Sequence, residues 1–207
     1  MILNEFQIIE RIINVNSKSR IIITPIIKAE QQFGPSSIDL RLGPKFKVSK
    51  NIRYTHMDPL SNENEQIHYI ENVHIRPLKS FVLHPGEFAL GSTLEYIKLP
   101  NDLAARLEGR STWGRLGLQI HSTAGFVDPG FSGTLTFELQ NAGKAPIKLY
   151  VGMRVAQISF YETKESQIPY DKKKFTKYGD KIGTTESKYD EDPEFAMFRK
   201  LRDKKII

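Results

Sequence analysis

The chain has 207 residues, 39% of them hydrophobic and 26% charged, with 14 Gly, 11 Pro and no Cys. That length suits one domain with an appendage, able to bury about 70% of the surface its unfolded form exposes without a disulfide or metal staple. The missing cysteines exclude a disulfide framework, a thiolate zinc site, an iron–sulfur cluster and a cysteine nucleophile.

Lys plus Arg exceed Asp plus Glu by 30 to 24, a net +6 that suits an anionic partner such as a nucleic acid, a phosphorylated small molecule or an anionic surface. Many of these cations sit in mixed-charge stretches, Lys172-Lys173-Lys174 and Arg202-Asp203-Lys204-Lys205, which a solvated face explains at least as well. The longest apolar stretch, Ile21 to Ile27, is broken by Thr24 and Pro25 and is far short of the roughly 20 residues of a membrane span. Glu5 and Glu10 do not fit a basic-then-apolar leader. The expectation is a soluble, cytoplasmic protein with no membrane partner.

In chain order, residues 2–15 place Ile2, Phe6, Ile9 and Ile13 at helical spacing, with Ile8 and Ile12 widening the stripe. Residues 14–19 read as the turn that ends this helix. The period then becomes two, with Ile38, Leu40 and Leu42 alternating with Ser37, Asp39 and Arg41 before Gly43-Pro44. Residues 49–72 are polar and aperiodic, an inserted long loop or irregular hairpin. From Phe81 to Tyr161 short strands alternate with turns at Pro85-Gly86, Pro100-Asn101, Gly109, Asp128-Pro129-Gly130, Asn141-Ala142-Gly143 and Gly152, which argues for an all-β sandwich or barrel. After Glu162 the chain is charged and weakly patterned. Asp192-Pro193-Glu194 carries a helix-start signature, and Phe195, Phe198 and Leu201 give that helix one apolar face.

Three stretches carry candidate chemistry. Residues 108–117 pack Arg110, Ser111, Thr112, Arg115 and three glycines behind the apolar run Leu103 to Leu107. Arginine forks and glycine-exposed N–H groups suit phosphate oxygens, although a salt-bridged turn would look the same. Residues 121–133 read as a strand, a tight turn at Asp128-Pro129-Gly130 and a second strand. Asp128 suits either turn stabilisation or a ligand hydroxyl. In the third stretch, residues 134–141, alternation sends Leu135, Phe137 and Leu139 to one face and Thr136, Glu138 and Gln140 to the other. Glu138 is then a carboxylate on the polar face of a strand, either merely exposed or functional.

The order Ser37-Ile38-Asp39-Leu40-Arg41, Gly109-Arg110-Ser111 with Arg115, Thr123-Ala124-Gly125-Phe126-Val127-Asp128-Pro129-Gly130-Phe131, Glu138, and Gly152-Met153-Arg154-Val155-Ala156-Gln157 resembles the dCTP deaminase family of the trimeric dUTPase superfamily. The likeness runs colinearly from about Ile21 to Lys177. It implies a mainly β fold, a dUTPase-like distorted β-barrel (β-clip) with an N-terminal helix and a charged C-terminal tail containing a short helix. It also implies a body over residues 1–165, a tail over 166–207 that closes on the nucleotide site, and a homotrimer with sites between subunits. Deamination in this family uses no zinc. Independently, the zinc deaminases need cysteine ligands that this chain lacks, and His56, His68, His74, His84 and His121 show no ligand spacing.

Carried over by position, Glu138 matches the catalytic carboxylate. It would take a proton from the water attacking C4 of cytosine and deliver protons to N3 and the leaving amine, a task helped by a partly buried carboxyl of raised pKa. Ser111 matches a hydroxyl that holds this water, and Arg115 a cation near the reacting centre. Arg110, Ser111, Thr112, Trp113, Gly114 and Arg115 match the phosphate-binding loop. Thr136, Phe137 and Glu138 match the residues that line the base, Thr123 and Ala124 further substrate-binding positions, Asp128 a contact to the deoxyribose 3′-hydroxyl, and Gln157 a further nucleotide contact. In the tail, Tyr170 matches a tyrosine stacked near the sugar and Lys177 a lysine on the triphosphate. Lys181 stands where the family usually has Gln. Mg2+ would accompany the triphosphate as a charge-neutralising ion.

The resemblance implies deamination of dCTP to dUTP and ammonia, feeding thymidylate synthesis, on nucleotides of the dCTP, dUTP or dTTP type and with no nucleic-acid partner. Alternatives are a bifunctional enzyme that continues to dUMP and pyrophosphate, a plain dUTP diphosphatase, and a silent nucleotide-binding regulator. Glu138 argues against the plain diphosphatase, which removes no amine. The pair Gly125-Phe126 is the candidate determinant of bifunctionality. Gly125 would leave room for a second water or a shifted loop, and Phe126 adds no charge to compete for the triphosphate, with Asp39 or Asp128 to orient that water.

Overall fold

The computed structural model describes residues 1–14, 16–49, 58–60, 70–76, 79–174 and 176–204. Helix α1 (Glu5–Ile13) starts at Asn4, whose side chain accepts from the Gln7 N–H while Gln7 accepts from the Asn4 N–H. Its buried face differs from the expected stripe. Ile8 is fully buried and Ile12 packs on the core, whereas Phe6 and Ile13 are 80% and 68% exposed. The two faces lie one position apart, about 100° around the helix. Buried Leu3, pinned by its N–H to the Phe160 carbonyl at 3.0 Å, decides which one turns inward.

After α1 come β1 (Ile22–Thr24), a one-turn α2 (Ala29–Gln32), β2 (Phe33–Gly34), β3 (Ser37–Arg41), β4 (Lys45–Ser49), β5 (Ile70–His74), β6 (Ser80–Leu83), β7 (Phe88–Ser92), β8 (Tyr96–Lys98) and β9 (Leu103–Gly109). They are followed by α3 (Ser111–Gly114), β10 (Leu118–Gln119), β11 (Phe126–Val127), β12 (Ser132–Gly133), β13 (Thr136–Asn141), β14 (Ile147–Tyr150), β15 (Arg154–Glu162) and α4 (Pro193–Asp203). The strand pairs are antiparallel. Two five-stranded sheets, β10-β13-β7-β4-β5 and β11-β9-β15-β3-β2, bury their apolar faces in one core. Phe46, Phe137 and Leu139 of the first meet Ile38, Leu107, Ile158 and Phe160 of the second in a single cluster. Two smaller sheets, β1-β8-β12 and β14-β6, complete the mainly β fold.

Of the two expectations for residues 49–72, a long loop or an irregular hairpin, the structure shows the hairpin. Ser49 ends β4 and pairs with Ile70, the first residue of β5, so the segment is the connection of a hairpin. Apart from 58–60, its interior lies outside the described residues, as do His56 and His68. The expected strand before Asp128 is short, since only Phe126–Val127 pair, with Arg106 and Ala105 of β9. Helix α4 has the expected start: Asp192 accepts from the Glu194 N–H, and Pro193 takes the first position. It docks on its own chain, where Arg202 donates to Asp58 Oδ2 at 3.1 Å and to the Leu60 carbonyl at 2.6 Å.

Candidate active site

The alternation of β13 sends Phe137 and Leu139 into the core and leaves Thr136, Glu138 and Gln140 half-buried on the opposite face. Glu138 Oε2 accepts the Ser122 N–H at 2.9 Å and the Thr123 N–H at 3.4 Å, and the Glu138 N–H donates to the Ile120 carbonyl at 2.8 Å. Residues 121–125 are therefore not a strand because part of their backbone donates to a side chain instead of a neighbouring ladder. A carboxylate aimed by two main-chain donors is pre-organised for work at one place.

Glu138 opens into a cavity of about 490 Å³. Ala124, Phe126, Asp128, Thr136 and Tyr170 of the sequence-derived candidates line it with Glu138. Phe137 does not, because its side chain is fully buried on the core face. Asp128 keeps its turn, with its carbonyl accepting the Phe131 N–H at 3.2 Å, while the residue also contributes to the cavity wall. Sequence reasoning missed Phe88, Leu90, Tyr178, Thr185, Glu186 and Ser187, which also line it. Phe88 and Leu90 alternate with buried Ala89, but only the register of β7 against β13 reveals that they face Glu138.

The arginine-rich loop lies elsewhere. Arg110 caps α3, Ser111, Thr112, Trp113 and Gly114 form it, and Arg115 follows it; none of them lines the Glu138 cavity of the same chain. Asp39 Oδ2 holds this region, with Arg110 Nε at 3.1 Å and Arg154 Nη1 at 3.0 Å. Trp113 Nε1 donates to the Arg154 carbonyl at 2.8 Å, and Gln157 pairs with Asp39 across β15 and β3. Of the tail lysines, Lys177 pairs with Asp192, and the Lys181 carbonyl accepts the Thr134 N–H at 2.9 Å. Beneath the Asp39 cluster, fully buried Glu95 accepts from the Arg41 N–H at 2.9 Å and from Gln32 Nε2 at 3.2 Å. Burial pushes the Glu95 carboxyl up to about 7, against the pull of these donors.

A family model described as dCTP deaminase-like matches residues 2–163. The chain belongs to the dCTP deaminase-like family. A dUMP-forming dCTP deaminase of Dictyoglomus turgidum is 46% identical over 174 residues, covering 84% of this chain and 89% of that one. Another, from Methanobrevibacter smithii, is 48% identical over 154 residues, covering 74% and 78%. A third, from Rhodococcus erythropolis, is 50% identical over 156 residues, covering 74% and 81%. The crystal structure of 2′-deoxycytidine 5′-triphosphate deaminase from Agrobacterium tumefaciens shares the fold, with a TM-score of 0.57 at 24% identity over 78% of this chain and 48% of that one.

The Dictyoglomus, Methanobrevibacter and Rhodococcus relatives correct the expectation that the reaction ends at dUTP, because all three are dUMP-forming. At Gly125 the structure corrects one of the two expectations, the room for a second water. The space beside it is not open for a second water: a Cβ there would stand 2.9 Å from the Leu107 carbonyl oxygen and 3.1 Å and 3.2 Å from Cε1 and Nε2 of His121. Gly125 is small because this loop packs tightly against β9.

Proposed function

We propose that the protein converts dCTP and two waters to dUMP, pyrophosphate and ammonia. The observation that carries this reading is the aimed Glu138 carboxylate in the cavity, joined to the dUMP-forming relatives of similar length. In the first half, Glu138 takes a proton from water as the water oxygen bonds to C4 of the base and passes it to N3; it then takes the second proton from the C4 hydroxyl and gives it to the amine, so that the C4–N bond breaks, the C4 carbonyl forms and ammonia leaves. In the second, water adds to the α-phosphorus and the bond to the β-phosphate oxygen breaks, releasing pyrophosphate.

Thr136, Ala124 and Tyr170 bound the base and sugar in this reading, and Asp128 accepts from the 3′-hydroxyl. Arg110 to Arg115, Gln157, Lys177 and Lys181 serve the triphosphate, with Ser111 also holding the attacking water and Arg115 placing a cation near the reacting centre. That assignment needs Arg115 near Glu138, yet the two do not share a cavity within one chain. A second copy supplying the loop resolves this, which supports a homotrimer with sites between subunits. In this reading Mg2+ accompanies the triphosphate as a charge-neutralising ion. No helix among the described residues is long and apolar enough to cross a membrane, and the reading has the enzyme act in the cytoplasm.

The test is incubation with dCTP and Mg2+ while ammonia and pyrophosphate are followed separately. Equal release of both supports the proposal. Ammonia with accumulating dUTP, or neither product, refutes it.

A further inference from the structure

The tail from Lys181 to Ser187 is fastened along two sides. On one, Lys181 bridges Gly133, the Gly183 N–H donates to Thr134 Oγ1 at 2.8 Å, and the Thr185 N–H donates to Thr136 Oγ1 at 3.2 Å. On the other, the Thr184 hydroxyl donates to the Lys45 carbonyl, and the Glu186 carboxylate pairs with the Lys47 ammonium. The first set of partners lies at the start of β13 and the second on β4, and β7 runs between these strands.

The register makes the crossing specific. Lys47 stands opposite Leu90, and Leu90 opposite Glu138, so the three side chains form one row on one face of the sheet. Two strand spacings, roughly 10 Å, separate the ends of the row. The tail is therefore a strap over β7, and Thr185, Glu186 and Ser187 are its contribution to the cavity wall. Lys47 is the more buried partner, with its side chain 17% exposed against 45% for Glu186. Burial pulls the Lys47 ammonium below its ordinary value, and the Glu186 carboxylate beside it offsets part of that cost.

We propose that the Lys47–Glu186 pair is the catch of this strap, and that Glu186 is a positioning residue for the nucleotide pocket, acting through the Thr185 N–H on Thr136. The proposal rests on the dCTP-to-dUMP reading for the identity of the ligand. Glu138 is held from elsewhere, by Ser122 and Thr123, so releasing the catch loosens the wall without moving the base. Substrate capture suffers and chemistry does not.

The experiment compares the full-length protein with Glu186→Gln and with the swap Lys47→Glu/Glu186→Lys. An ion pair of this exposure predicts a rise in KM for dCTP of about two- to five-fold in Glu186→Gln, with kcat within about two-fold. Trypsin cleavage after Lys181 accelerates by a similar factor, and the swap moves both readouts back towards the unaltered protein. Unchanged KM with unchanged cleavage overturns the proposal. A fall in kcat at constant KM also overturns it, because Glu186 then belongs to the chemistry. If the unaltered protein turns over no dCTP, the functional reading fails, while the cleavage comparison still decides whether the catch exists.

Discussion

Gly125→Ala tests how tightly the loop must hold Glu138. The Gly125 carbonyl accepts the Leu107 N–H at 2.7 Å, extending the pairing of β11 with β9. An alanine methyl would sit 2.9 Å from the Leu107 oxygen, where 3.4 Å is ordinary contact, so something must give by roughly 0.5 Å. The oxygen belongs to β9, which is paired on both sides by β11 and β15, so the loop gives instead. That loop carries the Ser122 and Thr123 N–H groups. A shift of this size would stretch the 2.9 Å bond to Glu138 and abolish the 3.4 Å one. Since a misplacement of about 1 Å costs on the order of 10²-fold, half of that predicts about a 10-fold loss of ammonia release from dCTP. Pyrophosphate release from dUTP supplied directly should fall less, because no amine has to leave. Steady-state assays of both products, with far-ultraviolet circular dichroism to confirm folding, check this. A folded variant that releases ammonia at the unaltered rate would refute the role given to the loop.

Glu138→Gln should keep the fold and nucleotide binding while ammonia release falls about 10²–10⁴-fold. Refolding it together with an Arg115→Ala chain should regenerate activity if each site takes its loop from a second copy; mixtures as inactive as their parents argue against that assembly. Glu95 makes stability depend on pH, because its folded pKa of about 7 lies above the ordinary 4.5. The folded chain then holds a proton that the unfolded chain loses, and stability falls by roughly 3 kcal/mol as pH rises from about 4.5 to about 7, staying flat above. Urea melts of Glu95→Gln should lack that slope, and an unchanged slope would assign it to other groups. Removing Mg2+ should weaken use of the triphosphate, whereas a zinc-selective chelator should leave activity intact; zinc-reversible inactivation would contradict the mechanism.

The strands were legible wherever one face is buried. Alternation at Ile38, Leu40 and Leu42 and at Leu135, Phe137 and Leu139 is a direct trace of a sheet with one face in the core. Helix α1 was legible as a helix but not in its orientation, because isoleucines at 8, 9, 12 and 13 fit two adjacent faces and a distant contact from Leu3 chooses between them. Glu138 was readable because it sits on the polar side of a strong alternation. Its donors were not, since Ser122 and Thr123 act through backbone N–H groups that any residue but proline supplies. The row from Lys47 to Glu138 was equally hidden: it joins strands about 90 residues apart, and only pairing through β7 brings them onto one face.

The walls of the cavity are held with unequal stiffness. Glu138 lies on a strand paired on both sides, by β10 and β7, and moving it means breaking ladder hydrogen bonds together with the core contacts of Phe137 and Leu139. The other wall is a tail held by a few hydroxyl and backbone bonds and by the Lys47–Glu186 ion pair, whose half-exposed carboxylate limits it to about 0–1 kcal/mol. An opening that costs so little can admit a ligand without disturbing the Glu138 carboxylate. The reverse arrangement, a rigid tail and a mobile carboxylate, would have to rebuild its reacting geometry at every turnover. A fixed base facing a fastened but yielding strap lets binding and chemistry be tuned by different residues, which is why substitutions at Glu186 and at Gly125 are expected to separate KM from kcat.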